Sequence, residues 1–198
     1  MPSYVGLTAA TTAAPTRIFG ATNMAVGAYA LTQTTPTWSG GGLVTISHTA
    51  VGAADTLGTI VVVGTDVAGN ARTETITPLN GTTATGTIGF RTITSMTGVG
   101  WVINAGNDTI TAGFAAGSIA CSTDGTLWAV IVNTTAAGTV VLSDSKGTLA
   151  TLKASIAEGH YLYGGMGVDF TGYLKVALTV ANDVTVVTSA PMRPAVSL

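Results

Sequence analysis

The sequence predicts an all-β protein made of two β-sandwich or jelly-roll-like modules with an extended N-terminal arm. Three observations carry that reading. Of 198 residues 37 are Thr and 26 are Gly, with Ala and Val also abundant, whereas Glu, Lys, Gln and Arg are scarce. Thr and Val crowd their χ1 torsion in a helix and fit a pleated strand, while Gly supplies the positive φ of tight hairpins. From Leu43 onward, short alternating or apolar runs recur between turn signals. The most apolar run, Thr59 to Val63 (TIVVV), is of strand length and far below the ~20 residues that span a bilayer as a helix. Membrane barrels use strands of about ten residues with aromatic girdles; here aromatics are only 6% and follow no such pattern.

Residues 1–42 show no sustained period and end in Gly40-Gly41-Gly42, so they are expected to form an arm lying across a neighbour. A small, weakly charged segment buries too little of its own surface to order alone, and docking would order it. Its bulky side chains Tyr4, Arg17, Phe19, Tyr29 and Trp38 are the candidate partner contacts, with Trp38 as the anchor. On this reading, removing residues 1–42 leaves the β modules folded.

The first module, 43–117, contains a hairpin. Leu57 to Thr65 leads through Asp66-Val67-Ala68-Gly69-Asn70 into Ala71 to Thr77, which alternates with Arg72, Glu74 and Ile76 on one face and three Thr on the other. Neither face is strongly apolar, so this ribbon is expected at an edge or an interface. After the Asn80-Gly81 turn, Trp101 to Ile103 is expected to pair with Thr109 to Thr111 across Asn104 to Asp108. Gly113 to Gly117 then marks a boundary.

In the second module, 118–198, the strands are Thr126 to Asn133, Thr139 to Asp144, Tyr173 to Val180 and Val184 to Thr188, the last two forming a hairpin over Ala181 to Asp183. Leu149 to Glu158 fits either a short helix stopped by Gly159 or a strand followed by a loop. Trp101 and Trp128 fall in apolar strands and are assigned to the core.

Charge restricts function. The chain carries seven basic and nine acidic side chains and a net charge of −2. On the about 8,600 Å² expected for a folded monomer this is roughly one charge per 540 Å², well below the density of ordinary soluble domains. Such an exterior is expected to be covered by other copies or other proteins. The basic residues are dispersed, which argues against nucleic acid and anionic lipid as partners. Cys121, the single cysteine, precludes an internal disulfide and reads as a small buried residue. The first residues lack the basic start and apolar stretch of a secretory signal, so synthesis in the cytoplasm is expected.

Catalytic signatures are thin, and no catalytic, cofactor or metal residue is assigned. His48 and His160 are the only imidazoles, and no Gly-x-Ser-x-Gly elbow frames a serine. Glu158, His160 and Asp169 stand near Tyr161, Tyr163 and Gly164-Gly165-Met166-Gly167; a polar pocket, metal-binding or glycosidase-like, is the functional reading and a solvated loop the bland one. Asp66 to Asn70 lacks the alternating ligands of a calcium loop and reads as a turn.

The run Ala54 to Asp66, continuing through Ala68-Gly69-Asn70, Thr73 to Ile76, Gly81 to Thr83 and Phe90 to Ile93, resembles a module of tailed-bacteriophage virion proteins. Leu127 to Asn133, Gly138 to Asp144 and Val184 to Thr188 likewise resemble small β domains of phage heads and tails. The resemblance implies a non-enzymatic head decoration (cement) protein, a homotrimer on the capsid surface whose partner is the major capsid protein. Two other readings are a neck, tail or fibre-base protein and a host-glycan-binding module using Trp38 or Tyr161 and Tyr163.

Overall fold

The computed structural model describes residues 3–8, 12–50, 55–103, 108–135, 138–162, 166–180 and 183–189. Among the described residues nine strands precede the expected boundary: β1 (Ser3–Thr8), β2 (Ala14–Asn23), β3 (Gly27–Ala28), β4 (Gly42–Thr49), β5 (Thr59–Thr65), β6 (Ala71–Ile76), β7 (Thr83–Phe90), β8 (Thr92–Val99) and β9 (Thr109–Phe114). Eight follow it: β10 (Ser118–Cys121), β11 (Gly125–Val132), β12 (Val140–Ser143), β13 (Thr148–Leu152), β14 (Gly159–Leu162), β15 (Val168–Phe170), β16 (Leu174–Leu178) and β17 (Asp183–Ser189). The chain is all-β.

Four antiparallel sheets pack as two sandwiches. In the first, the sheet β2-β9-β4-β7 faces the sheet β3-β8-β5-β6. Ile60, Val62, Ile93 and Met96 of one sheet pack against Ile18, Val44, Ile46, Ile110 and Phe114 of the other, all fully buried, a register shift in β8 letting Ile93 and Met96 share a face. In the second, β1-β17-β11-β14, with β15 also on β11, faces β10-β16-β12-β13. Its core is Leu7, Leu127, Val130, Leu142, Leu174, Val184 and Val186 with their neighbours. The β5–β6 hairpin closes as the sequence predicts, with Thr65 opposite Ala71, and β6 is an edge strand.

The arm reading of residues 1–42 is corrected. β1 is a strand of the second sandwich, running antiparallel to β17 from Ser3 opposite Thr188 to Thr8 opposite Asp183. Meanwhile β2 and β3 complete the two sheets of the first sandwich on β9 and β8. The segment hid this because its core contacts are irregularly spaced: β2 shifts register twice along β9, and bulges erase the period-two signal. Gly40-Gly41-Gly42 is a close approach rather than a flexible end. Gly40 has φ +85°, and a Cβ there would stand 2.6 Å from the Ile119 carbonyl oxygen. Gly41 bridges Ile119 through hydrogen bonds in both directions, 2.9 and 2.8 Å, which joins the two sandwiches.

Two expected pairings differ as well. Val102 bridges Thr56, and β9 lies between β2 and β4 instead of returning on Trp101 to Ile103. β16 and β17 belong to opposite sheets, so the chain there crosses the sandwich instead of forming a hairpin. Thr148 to Leu152 is strand β13, the second of the two readings offered for that segment.

Candidate interaction face

The outer face of the sheet β1-β17-β11 carries two exposed aromatic side chains, Tyr4 and Trp128. On β11, Leu127, Val130 and Val132 enter the core. Simple alternation back from Val132 and Val130 would put Trp128 inside too. A register shift between Leu127 and Ala129 adds one residue on this strand and turns Trp128 outward, 36% exposed. The core assignment of Trp128 is thereby corrected, while Trp101, 5% exposed, is core.

Tyr4 lies opposite Val187, and Val187 lies opposite Ala129, next to Trp128. Val184 and Val186 point into the core, so Val187 is on the outer side. The indole N–H of Trp128 donates to Ser189 Oγ at 2.9 Å, which fixes the ring across β17. A Cβ on Gly167 would stand 3.2 Å from the Trp128 ring, so the turn carrying the fully exposed Met166 lies beside it. Tyr4 and Trp128 are thus the exposed members of an apolar row across β1, β17 and β11, with buried Val187 beneath it and Met166 beside Trp128. Tyr, Trp and Met are the residue types enriched at protein–protein contacts, because they remove much area from water at little entropic cost.

Of the five sequence candidates only Tyr4, 69% exposed, is on this face. Arg17 is half-buried and donates from Nε to the Thr35 carbonyl at 3.2 Å. Phe19, Tyr29 and Trp38 are corrected: all three are buried in the core of the first sandwich. Phe19 and Tyr29 stack with ring centroids 5.1 Å apart, and the Tyr29 hydroxyl accepts a hydrogen bond from the Ala25 amide at 3.0 Å. Burial raises the Tyr29 pKa, partly offset by its hydrogen bonds. Trp38 packs edge-on against Phe114 and donates to the Gly41 carbonyl at 3.0 Å, so neither a neighbour nor a glycan can use it in this fold. An aromatic ring in a small-residue segment finds its burial at home when the segment supplies strands of its own core.

Several ionisable groups are buried. Four of the nine acidic side chains, Asp55, Asp66, Asp108 and Asp144, are buried. His48 Nε2 lies 2.9 Å from Asp108 Oδ2, both side chains about 1% exposed, and the Asp108 amide donates to Asp55 Oδ2 at 3.4 Å. Buried His48 Nδ1 has no hydrogen-bond partner. A catalytic histidine uses one nitrogen for its orienting acid and the other for a nucleophile; here the second nitrogen meets none, and the pair pins β4 to the start of β9. No sequence signal joined residues 48, 55 and 108, because only the sheet register brings them together.

Asp66 organises the β5–β6 turn. Its Oδ1 accepts the amides of Ala68 and Asn70, each at 2.9 Å, and its Oδ2 accepts Arg72 Nε at 2.9 Å. Burial alone would raise its pKa, yet the Asn70, Arg72 and Ala68 donors outweigh burial and hold it below the ordinary 3.8. Asp144 behaves alike: burial raises it, and the amides of Thr171, Lys146 and Gly147 bring it below 3.8.

Glu158, His160 and Asp169 do not assemble. His160 pairs with Ile131 and Asp169 with Thr126 on the same strand. Five residues of strand separate them by about 16 Å. Asp169 accepts the Thr126 hydroxyl at 2.7 Å. Tyr163 lies outside the described residues, and the Tyr161 hydroxyl donates to the Ala157 carbonyl at 2.8 Å. Among the described residues no group of three or more His, Cys, Asp or Glu side chains is arranged to hold a metal ion. Cys121 is half-buried rather than sealed. No protein-family model, curated protein sequence or solved structure matches this chain.

Proposed function

We propose that this chain is a non-enzymatic decoration, or cement, protein of a tailed-bacteriophage capsid, acting as a homotrimer that bridges subunits of the major capsid protein. The observation that carries the reading is the exterior. Burial of four of the nine acids leaves it poorer still in charge than the composition implies, and the exposed Tyr4, Trp128 and Met166 add apolar anchors to it. A standard interface covers about 800 Å² per partner, and a row spanning three strands suits the centre of one. Association at such a face acts by covering apolar area, and it also stabilises each bound copy by mass action.

The test is occupancy on capsids stripped of decoration. Wild type should sediment with shells, and Tyr4→Ser with Trp128→Ser should lower occupancy at least tenfold while leaving the thermal transition in place, since both side chains are exposed. A light-scattering mass of three chains is expected. A monomer at high concentration that attaches to no shell overturns the reading; attachment to tails but not heads reassigns the chain to the neck or tail.

A further inference from the structure

We propose that the cleft at the junction of the two sandwiches binds a small organic anion, an apolar body carrying one acidic group. The cleft has a volume of about 470 Å³ and is built from both units: Val67, Ala68 and Arg91 from the first, Val5, Ala120 and Cys121 from the second. That size falls within the range of small-molecule sites, which favour junctions between structural units and combine apolar walls with a few fixed polar groups. Four of these six residues are Val or Ala. Asp66, Ser122, Thr123 and Thr188 also line the cleft, and Arg91 is the polar group that matters for a ligand's charge.

Arg91 is held in place before any ligand arrives. One terminal nitrogen donates to the carbonyls of Trp38, at 3.3 Å, and Gly40, at 3.0 Å. Among the described residues its other nitrogens have no partner and no carboxylate pairs with it. The guanidinium therefore offers a fixed donor edge, which lowers the ordering cost of binding an oxyanion. The other charges in the wall cancel. Asp66 is neutralised by Arg72 at 2.8 Å and its two oxygens are saturated by the turn amides and Asn70, while Arg72 also reaches the Ser122 carbonyl across the junction. The cleft thus carries one uncompensated positive charge above an apolar floor, a combination that selects an amphiphilic anion over a neutral molecule or a cation.

The experiment is a fluorescence titration of the full chain with 8-anilinonaphthalene-1-sulfonate and its uncharged counterpart N-phenyl-1-naphthylamine. One sulfonate should bind per chain, about tenfold more tightly than the neutral probe, as one charge-assisted contact implies. Arg91→Gln should abolish that preference. Because Cys121 lines the same cleft, saturating sulfonate should slow its alkylation by iodoacetamide at least fivefold, a readout that needs only the wild-type protein should the Arg91 variant fail to fold. Equal affinity for the two probes, or an unchanged alkylation rate under saturation, overturns the proposal. Neither result bears on capsid occupancy, which is read by sedimentation.

Discussion

Deleting residues 1–42 should leave no cooperatively folded protein. The first sandwich would lose Ile18, Phe19, Met24, Tyr29 and Trp38 from its core together with β2 and β3, and the second would lose β1 and Leu7. Removing one large core side chain costs about 2–5 kcal/mol, and the whole margin of a domain is about 5–15 kcal/mol, so the combined loss exceeds the margin. Circular dichroism on heating should show no sigmoidal transition, and limited proteolysis should find no resistant fragment. A deletion product that melts cooperatively would return residues 1–42 to the status of an arm. The milder change Leu7→Ala should cost about 3 kcal/mol, because Leu7 is 1% exposed within the core of the second sandwich.

Asp66→Ala should be the most damaging substitution of a single polar side chain, costing about 3–5 kcal/mol. At 1% exposure the carboxylate satisfies two backbone amides and neutralises Arg72; without it, Arg72 stands half-buried with no counter-ion and the turn amides lose their acceptor. For a chain of this size that corresponds to a fall in Tm of about 10 °C. The same carboxylate gives the protein an acid limit. Its folded pKa lies below the unfolded 3.8, so its contribution is fully present above that value and disappears as pH falls through the folded pKa. Chemical denaturation between pH 5 and pH 2 should therefore show wild type losing stability more steeply than Asp66→Asn. Parallel curves for the two proteins would remove Asp66 from the acid transition, leaving Asp144, depressed in the same direction, as the source.

The sequence made the all-β class and the β5–β6 hairpin legible, because both are local: composition sets strand preference, and Asp66 to Asn70 is a contiguous turn. Strand partners were not. β1 and β17 stand more than 170 residues apart in sequence, and nothing in SYVGLT names VTVVT as its neighbour. Likewise Trp128 sits where a bulge reverses the facing of alternate residues, an event that leaves no mark in the apolar pattern. The buried His48, Asp108 and Asp55 group is invisible for the same reason, since its members meet only after three separated segments have folded. The aromatics of residues 1–42 were read as outward anchors because their segment has no period, yet an irregular strand buries rings as effectively as a regular one.

The pairing of β1 with β17 sets an order of events during synthesis. All strands of the first sandwich are made by Phe114, so that unit can close while the ribosome is still translating. β1 waits for more than 170 further residues before its partner exists, about 10–30 s at ordinary elongation rates. Through that interval it travels as an open edge, the condition in which strands join the wrong neighbour. Nascent chains stalled ahead of Asp183 should accordingly resist protease over the first sandwich and be trimmed at Ser3 to Thr8, whereas full-length chains should resist at both.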